Sequence, residues 1–411
     1  MVRFGTLIVA GLFAASSAAF AQEAADGGVS DAGPPLSPDD AKLLQQIEAA
    51  QAAQGSQPKA AAAPAPTNAP SDATAPAPAD KGKASSFFSN IYNPAMSVNG
   101  LFLGTMSSQD KPPPGDAQSG IAIQEMEVQI LANVDPYLSA NVVFSMPGGS
   151  TFGVEEGWLA LTAQPLGLGL RAGQLKVPFG RENPVHTHAL PFVDRSLIGT
   201  AVFGDGLDEV GVEATWLVPV SWYLLFTAEV LNGDNPVAFN SPNGRDLAYF
   251  GALKNVVDLS DDTTAELGAQ YVAGENGAQE LSQVAGAHLV LKWKPAAFAT
   301  TRSGSLTIEG MYSHVPSPEH GNSPDTWGLY SYGQWQLAQR WFIGGRYEYL
   351  HPAGDQPVGM RESGILAFAP SEFSAFRLQL NLHQPGGGLP QVFEAFLQAN
   401  FTLGAHPAHS Y

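Results

Sequence analysis

The sequence contains no cysteine, few charged residues and no long apolar segment beyond its first 21 residues. Without cysteine, an exported chain has no disulfide framework, so its stability must come from a hydrogen-bonded structure of some size. Since no later segment approaches roughly 18 uninterrupted apolar residues, a helical membrane bundle is excluded. Only 14% of the 411 residues are charged, while the chain has 44 Gly and 22 Phe. This composition indicates a large all-β chain.

The charge balance excludes one class of partner. Asp and Glu number 38 against 19 Lys and Arg, which gives a net charge of -19. Nucleic acids and anionic membrane surfaces would repel such a chain. We therefore expect no nucleic-acid partner.

The N-terminus has the pattern of a secretory signal peptide over residues 1–21. Arg3 supplies the basic start, residues 4–14 form the apolar run, and Ala19-Phe20-Ala21 is a suitable cleavage site. The pattern predicts that the mature chain leaves the cytoplasm.

The next segment, residues 22–84, is rich in Ala and Pro and contains no aromatic residue. Such a composition cannot bury a core, so we expect a disordered periplasmic tether. Within it, Ser37 as N-cap and Pro38 at the first helical position predict a short helix over 38–54. A lone marginal helix and a short oligomerising coiled coil both fit its narrow apolar stripe.

The rest of the chain alternates between apolar and polar residues with a period of two. In residues 122–134, Met126 and Val128 share one face, whereas Glu127 and Gln129 share the other. The same pattern recurs through to residue 403. It predicts β-strands with one apolar and one polar face.

Sixteen segments show this strand pattern, and the connections between them alternate in length. The segments are 96–106, 121–134, 137–147, 152–163, 167–177, 209–218, 221–231, 245–257, 263–273, 284–294, 303–314, 325–337, 340–350, 362–369, 373–383 and 391–403. Tight turns on one side and longer loops on the other are typical of membrane barrels. Two connections depart from the alternation: the one near 148 is short and the one near 295 is long. We predict that residues 85–411 form a transmembrane antiparallel β-barrel of about 16 strands.

Trp and Tyr residues lie near the predicted strand ends, as in the interfacial girdles of membrane barrels. They are Trp158, Trp216, Trp222, Tyr223, Trp293, Tyr312, Trp327, Trp335, Trp341, Tyr347 and Tyr349. Their number favours a membrane barrel over a soluble β-sandwich or propeller. A sheet in lipid must also close, because its backbone groups have no other partners there.

Two short stretches resemble motifs of the phosphate-selective porin O and P family. They are GQLKVPFGRE at 173–182 and FVDRSL at 192–197. The resemblance implies a 16-stranded outer-membrane barrel that assembles as a homotrimer, with a basic constriction that selects anions. The chain departs from that family in charge, because residues 85–411 carry 14 Lys and Arg against 30 Asp and Glu. A basic constriction would therefore have to be a local patch.

The longest predicted connection, residues 178–208, is the candidate pore constriction. Its apolar residues would be poorly tolerated in a solvent-exposed loop, so we expect it to fold against the inner barrel wall. It would then expose charges to permeating solutes, and selectivity follows the charges at the narrowest point. The candidate constriction residues are Arg171, Lys176, Arg181, His186, His188, Asp194 and Arg195.

Histidines in this loop are the candidate metal ligands. His186 and His188 could bind zinc together with nearby carboxylates, since imidazole suits that ion. Hydrogen bonds to backbone or water are the ordinary alternative for such a pair. The same two interpretations apply to His406 and His409, which we expect on the opposite, periplasmic side.

The sequence contains no recognisable catalytic motif. A Ser-His-Asp arrangement, a phosphate loop, a metalloprotease helix and a redox cysteine are all missing. Glutamates on the predicted strands are what a water-filled lumen requires. We predict a non-enzymatic porin without cofactor, which contacts outer-membrane lipid and gives passive diffusion of small solutes or ions. Zinc uptake and an outer-membrane hydrolase are the alternatives.

Overall fold

The computed structural model describes residues 94–110, 117–149, 152–317 and 323–404. Its sixteen β-strands pair antiparallel with their neighbours in sequence, and β1 also pairs with β16, which closes the sheet into a barrel. The predicted antiparallel barrel of 16 strands is thereby confirmed. The predicted signal peptide (1–21), the tether (22–84) with its helix (38–54), and His406 and His409 lie outside the described residues.

The strand limits agree with the sequence pattern to within a few residues. The strands are β1 (Ala95–Ser107), β2 (Gly120–Asn133), β3 (Leu138–Pro147), β4 (Gly153–Leu161), β5 (Leu168–Lys176), β6 (Asp208–Leu217), β7 (Tyr223–Leu231), β8 (Ala248–Ser260), β9 (Thr263–Glu275), β10 (Leu281–Trp293), β11 (Gly304–His314), β12 (Asp325–Ala338), β13 (Trp341–His351), β14 (Gly359–Ser371), β15 (Ser374–Gln384) and β16 (Val392–Gly404). An α-helix, α1 (Leu197–Phe203), and 3-10 turns at Pro165–Gly167, Thr187–Ala189 and Ala296–Phe298 complete the regular structure.

Alternation along each strand separates a polar interior from an apolar exterior. On β15, Arg377 and Gln379 are buried inside the barrel, whereas Phe376 and Leu378 are nearly half exposed on the outside. A bilayer requires an apolar outer surface. It also requires a closed sheet, in which the strands pair their backbone groups with one another. Among the described residues, no helix is long and apolar enough to cross a membrane.

Most of the predicted girdle residues lie on the outer surface, but Tyr223 and Trp158 do not. Tyr223 packs against the buried apolar cluster inside the barrel, so its assignment to a girdle was wrong. Trp158 is inside as well. Its Nε1 donates to Glu156 Oε1 at 2.7 Å, and the Arg171 guanidinium lies 5.7 Å from the centre of its ring. Trp158 thus belongs to the polar inner face, so its assignment to a girdle was wrong. The reason is the irregular register between β3 and β4 next to Glu156, which changes which residues of β4 point inward.

The longest connection enters the barrel instead of lying outside it. Residues 177–207, called loop L3 below, run from β5 to β6 and contain α1. The following long connection, loop L4 (232–247), packs against L3, since Asn235 donates to the backbone carbonyl of Phe203 at 3.1 Å. The two departures from alternating loop length, near 148 and near 295, occur where they were predicted.

L3 and L4 form an apolar core together with one half of the inner wall. The ring centres of Phe179 and Phe203 are 5.0 Å apart, and Phe179 also contacts Phe250 of β8. Phe239 of L4 and Val202 of α1 belong to the same buried cluster. Each fully buried side chain of this size contributes about 1.5–3 kcal/mol through the hydrophobic effect. The core therefore gives L3 a defined position inside the barrel.

Candidate functional site

L3 begins with a sharp turn that the sequence encodes at Gly180. This residue has φ of 69°, a left-handed conformation that glycine adopts without strain. An added Cβ would collide with the carboxylate of Glu309 on β11. That carboxylate accepts from the backbone N–H of Arg181 at 2.7 Å and from the hydroxyl of Tyr330 at 2.6 Å. The start of L3 is thus fastened directly to the wall.

A substitution at this turn tests whether L3 is held as described. We expect Gly180→Ala to lower the thermal midpoint, because a left-handed L-residue costs about 1–2 kcal/mol before the steric clash is added. Gly364→Ala is the matched control, since a Cβ there meets nothing within 4 Å. Midpoints measured in detergent by circular dichroism compare the two variants. Equal midpoints would contradict the tight contact with Glu309.

Glu182 and Asn183 connect distant parts of L3 with each other. Glu182 accepts from the backbone N–H and the hydroxyl of Ser196, the residue that caps α1. The side chain of Asn183 bonds to backbone groups of Val177 and Leu207 and so joins the two ends of the loop. Burial raises the pKa of the Glu182 carboxyl despite the nearby charge of Arg346. L3 is therefore a closed, internally bonded unit.

Asp194 holds the middle of L3 against β13 and β14. Its carboxylate lies 2.7 Å from Arg346 and 3.0 Å from Arg361, and both guanidinium groups are almost fully buried. Burial would raise the pKa of Asp194, but the charges of Arg346 and Arg361 outweigh that effect and hold it well below its usual range. The Arg346 guanidinium also lies 4.5 Å from the ring centre of Phe192.

Further hydrogen bonds connect L3 to strands on both sides of the β1–β16 seam. Arg377 of β15 donates to the Leu190 carbonyl at 2.8 Å, and Asn400 of β16 donates to the His188 carbonyl at 3.2 Å. On β2, Gln124 donates to the Val193 carbonyl at 2.9 Å. L3 leaves β5 and yet bonds to strands far from it around the barrel. It consequently crosses the lumen.

The two histidines contact glutamates of β2 and β4. His186 Nδ1 lies 3.2 Å from Glu155 and 3.6 Å from Glu127, and its Nε2 lies 3.3 Å from Glu156. His188 Nδ1 lies 3.0 Å from Glu127. Burial would lower the pKa of His186, but the close carboxylates of Glu155 and Glu156 raise it to about 10. When no ion is bound, the ring is therefore an imidazolium.

The other predicted residues divide between the strand and the loop. On β5, Arg171 pairs with Glu213 at 2.7 Å and Lys176 pairs with Glu155 at 2.8 Å. In L3, Arg181 reaches Glu266 of β9 at 2.9 Å. Arg195 differs from these, because it donates to the backbone carbonyls of Glu182 and Val185. All seven predicted residues thus lie on L3 or on the strand that leads into it.

The wall residues that bind L3 were not identified as its partners from the sequence. They are Glu127, Glu155, Glu156, Glu266, Glu309, Arg346, Glu348, Arg361 and Arg377. A usable signal exists for the three arginines, since each falls on the polar face of a predicted strand. Which wall segment meets which loop residue depends on the path of L3, and no local pattern encodes that path.

Comparison with known proteins identifies the architecture. No protein-family model matches the chain. A protein of Aquifex aeolicus (strain VF5), described as uncharacterized, is 27% identical over 341 residues, which cover 71% of this chain and 70% of that protein. The anion-selective porin of Comamonas acidovorans superimposes with a TM-score of 0.52 at 10% identity over 76% of this chain and 100% of its own. The chain is an outer-membrane β-barrel.

The trimer form of OmpT from Vibrio cholerae has the same fold. It superimposes with a TM-score of 0.50 at 9% identity and covers 76% of this chain and 99% of its own. At identities this low, the superpositions establish the architecture alone. The solute must be inferred from the side chains inside the barrel.

Proposed function

We propose that the protein is a porin that gives passive diffusion of small polar solutes or ions across the outer membrane. The observation that supports this most directly is L3, a loop with many polar side chains held inside a closed 16-stranded barrel. Sixteen strands enclose a wide lumen, and a loop fixed within it narrows the path. The side chains of that loop then determine which solutes pass.

The proposed constriction consists of the seven residues named from the sequence. They are Arg171, Lys176, Arg181, His186, His188, Asp194 and Arg195. Five of them contact a side chain of opposite charge on the wall or on β6, which weakens their field in the lumen, and His188 lies 3.0 Å from Glu127. Arg195 contacts backbone carbonyls instead, so its charge is the least compensated of the seven. We therefore expect Arg195 to favour anions.

Opposite halves of the inner wall differ in charge. Arg346, Arg361 and Arg377 lie on β13, β14 and β15. The glutamates lie mainly on β2 to β7: Glu125, Glu127, Glu155, Glu156, Glu209, Glu213 and Glu229. Since β5 and β13 are eight strands apart in a barrel of sixteen, the two groups face each other. This supports a transverse field across the pore over the simple anion selection that the family resemblance implies.

Conductance measurements test the proposal. Purified protein in planar bilayers is expected to give ohmic current steps, because the lumen is polar and L3 occupies it without a separate plug domain in the described residues. A salt gradient then gives the reversal potential, which reports ion selectivity directly. Folded protein without current steps would contradict diffusion through the barrel. Hydrolysis of lipid or ester substrates by the same preparation would favour the hydrolase alternative.

Assembly as a homotrimer belongs to the same proposal. The fold is shared with a barrel that has a trimer form, and the family resemblance implies the same assembly. Zinc uptake remains a second candidate function, because the contacts of His186 provide a specific reason to consider a metal.

A further inference from the structure

One cluster on the inner wall has the chemistry of a metal site. Glu127 of β2, Glu155 of β4 and His186 of L3 each offer a ligand atom, and the three atoms lie within 4.8 Å of one another. Glu127 is 2% exposed, and the side chains of Glu155 and His186 are 13% and 19% exposed. The cluster is thus largely shielded from the lumen.

The contacts of His186 determine which of its ring nitrogens faces this cluster. Glu156 Oε2 lies 3.3 Å from Nε2 and accepts its proton. A carboxylate in this position is the usual partner of a metal-binding imidazole, because it fixes the tautomer that leaves the other nitrogen free. Nδ1 is therefore the nitrogen directed at Glu127 and Glu155.

A cation must occupy the space between Nδ1 and the two carboxylates. The candidates are a proton on Nδ1 and a bound ion. A proton would form a hydrogen bond with one oxygen, but among the described residues Nδ1 is buried without a partner of hydrogen-bond geometry. A buried ring nitrogen that has no hydrogen-bond partner and is directed at two carboxylates favours an ion.

The distances agree with tetrahedral coordination. Ligands at zinc distances, about 2.0–2.2 Å from the metal, lie roughly 3.3 Å from one another. Nδ1 lies 3.2 Å from Glu155 Oε1 and 3.6 Å from Glu127 Oε2. We propose that Glu127, Glu155 and His186 bind a divalent ion of the zinc class, with water as the fourth ligand. One imidazole and two carboxylates suit Zn²⁺ better than Mg²⁺ or Ca²⁺, which prefer oxygen ligands alone.

The local charges also leave room for a divalent ion. Four carboxylates, those of Glu125, Glu127, Glu155 and Glu156, lie at this part of the wall. The nearby cations are shared with other acids: Lys176 pairs with Glu155 and also with Asp208, and Arg171 pairs with Glu156 and, more closely, with Glu213. Buried carboxylates need paired charges or metal ions, so a divalent cation would balance the cluster.

Binding would fasten L3 to β2 and β4, in addition to the contacts of Asp194 with β13 and β14. L3 would then be held to the wall by arginines at Asp194 and by an ion at His186. This inference depends on the position of L3 and not on conductance.

Zinc binding by the folded, full-length protein tests the inference. Protein in detergent is treated with a chelator, dialysed against Zn²⁺ and analysed for bound metal. All proteins carry His406→Ala and His409→Ala, so that the C-terminal histidines do not contribute. We expect one Zn²⁺ per chain. Loss of a hydrogen-bonding partner of a ligand costs about 10- to 100-fold in affinity. Glu156→Gln should therefore weaken binding by that factor, and Glu155→Gln or His186→Asn by at least as much.

His314→Gln is the matched control. His314 also contacts a carboxylate, that of Asp325 at 2.7 Å, but it does not belong to the cluster. This variant should bind Zn²⁺ as the parent does. Co²⁺ serves as a second probe, because a four-coordinate site with nitrogen and oxygen ligands gives intense visible absorption. Circular dichroism verifies that each variant is folded.

Two results would overturn the inference. The first is folded parent protein that binds no Zn²⁺, which would mean that a proton alone occupies Nδ1 of His186. The second is zinc affinity that is equal in the parent, Glu155→Gln and His186→Asn, which would place the ion elsewhere. Absence of zinc binding by the parent protein overturns the inference even if a variant fails to fold, and Glu156→Gln, which keeps all three ligands, then tests the location of a bound ion.

Discussion

Replacing Asp194 with Asn is expected to move the reversal potential toward anion preference and to loosen L3 from the wall. The substitution leaves Arg346 and Arg361, which are almost fully buried, sharing one carboxylate, that of Glu348, instead of two. Removing one partner from a buried ion-pair network costs about 3–5 kcal/mol, because one of the two positive charges is then uncompensated. The freed guanidinium groups would also attract anions within a Debye length of about 8 Å. Bilayer recordings under a salt gradient measure the first effect.

Asp205→Asn is the control for this substitution. Asp205 belongs to the same loop, is exposed, and loses the same charge. We expect its reversal potential to stay near that of the parent protein. Arg195→Gln removes a positive charge instead of a negative one, so it should lower anion preference. If neither Asp194→Asn nor Arg195→Gln changes the reversal potential, L3 does not line the ion path, and Arg171 and Lys176 become the next residues to test.

Excision of most of L3 is expected to raise single-channel conductance severalfold. The ends of the loop already meet, since the backbone N–H of Val177 donates to the carbonyl of Leu207 at 3.0 Å. A short Gly-Ser link can therefore replace residues 179–205. The deletion removes the segment that crosses the lumen, so the path should widen and its charge selectivity should fall.

Shortening another loop controls for the deletion. The connection 385–391, between β15 and β16, contains three consecutive glycines, and removal of Gly387 and Gly388 should leave conductance unchanged. Because the deletion also exposes Phe250, heat-dependent gel migration must verify that the barrel still forms. Unchanged conductance in a folded deletion variant would show that L3 does not narrow the pore.

The barrel could be predicted because its determinants are local. Side chains alternate between lipid and water along every strand, so the period of two is visible at each of the sixteen segments. Strand ends were predicted less accurately: the strand predicted at 245–257 is Ala248–Ser260 in the structure. Trp158 shows the limit of the approach, because an irregular register changes the direction of a side chain without changing the composition.

The candidate site could be predicted only as a list of residues on L3 and on the strand before it. Their types indicated charge and metal chemistry, but all of their side chains except that of Arg195 contact a strand residue that lies far away in sequence. Asp194 meets Arg346 and Arg361 only because L3 crosses the lumen at their height. Likewise, the partners of His186 on β2 and β4 follow from tertiary packing. Such contacts depend on the fold as a whole.

The path of L3 across the lumen also constrains the order of assembly. L3 bonds to β2 through Gln124 and to β16 through Asn400, which belong to the second and the last strands of the barrel. These anchors exist together only when the β1–β16 seam has formed. Contacts between residues so distant in sequence form late, since the intervening chain must first be ordered. Docking of L3 is therefore a late step in barrel biogenesis, and its protection from protease would report that the seam has closed.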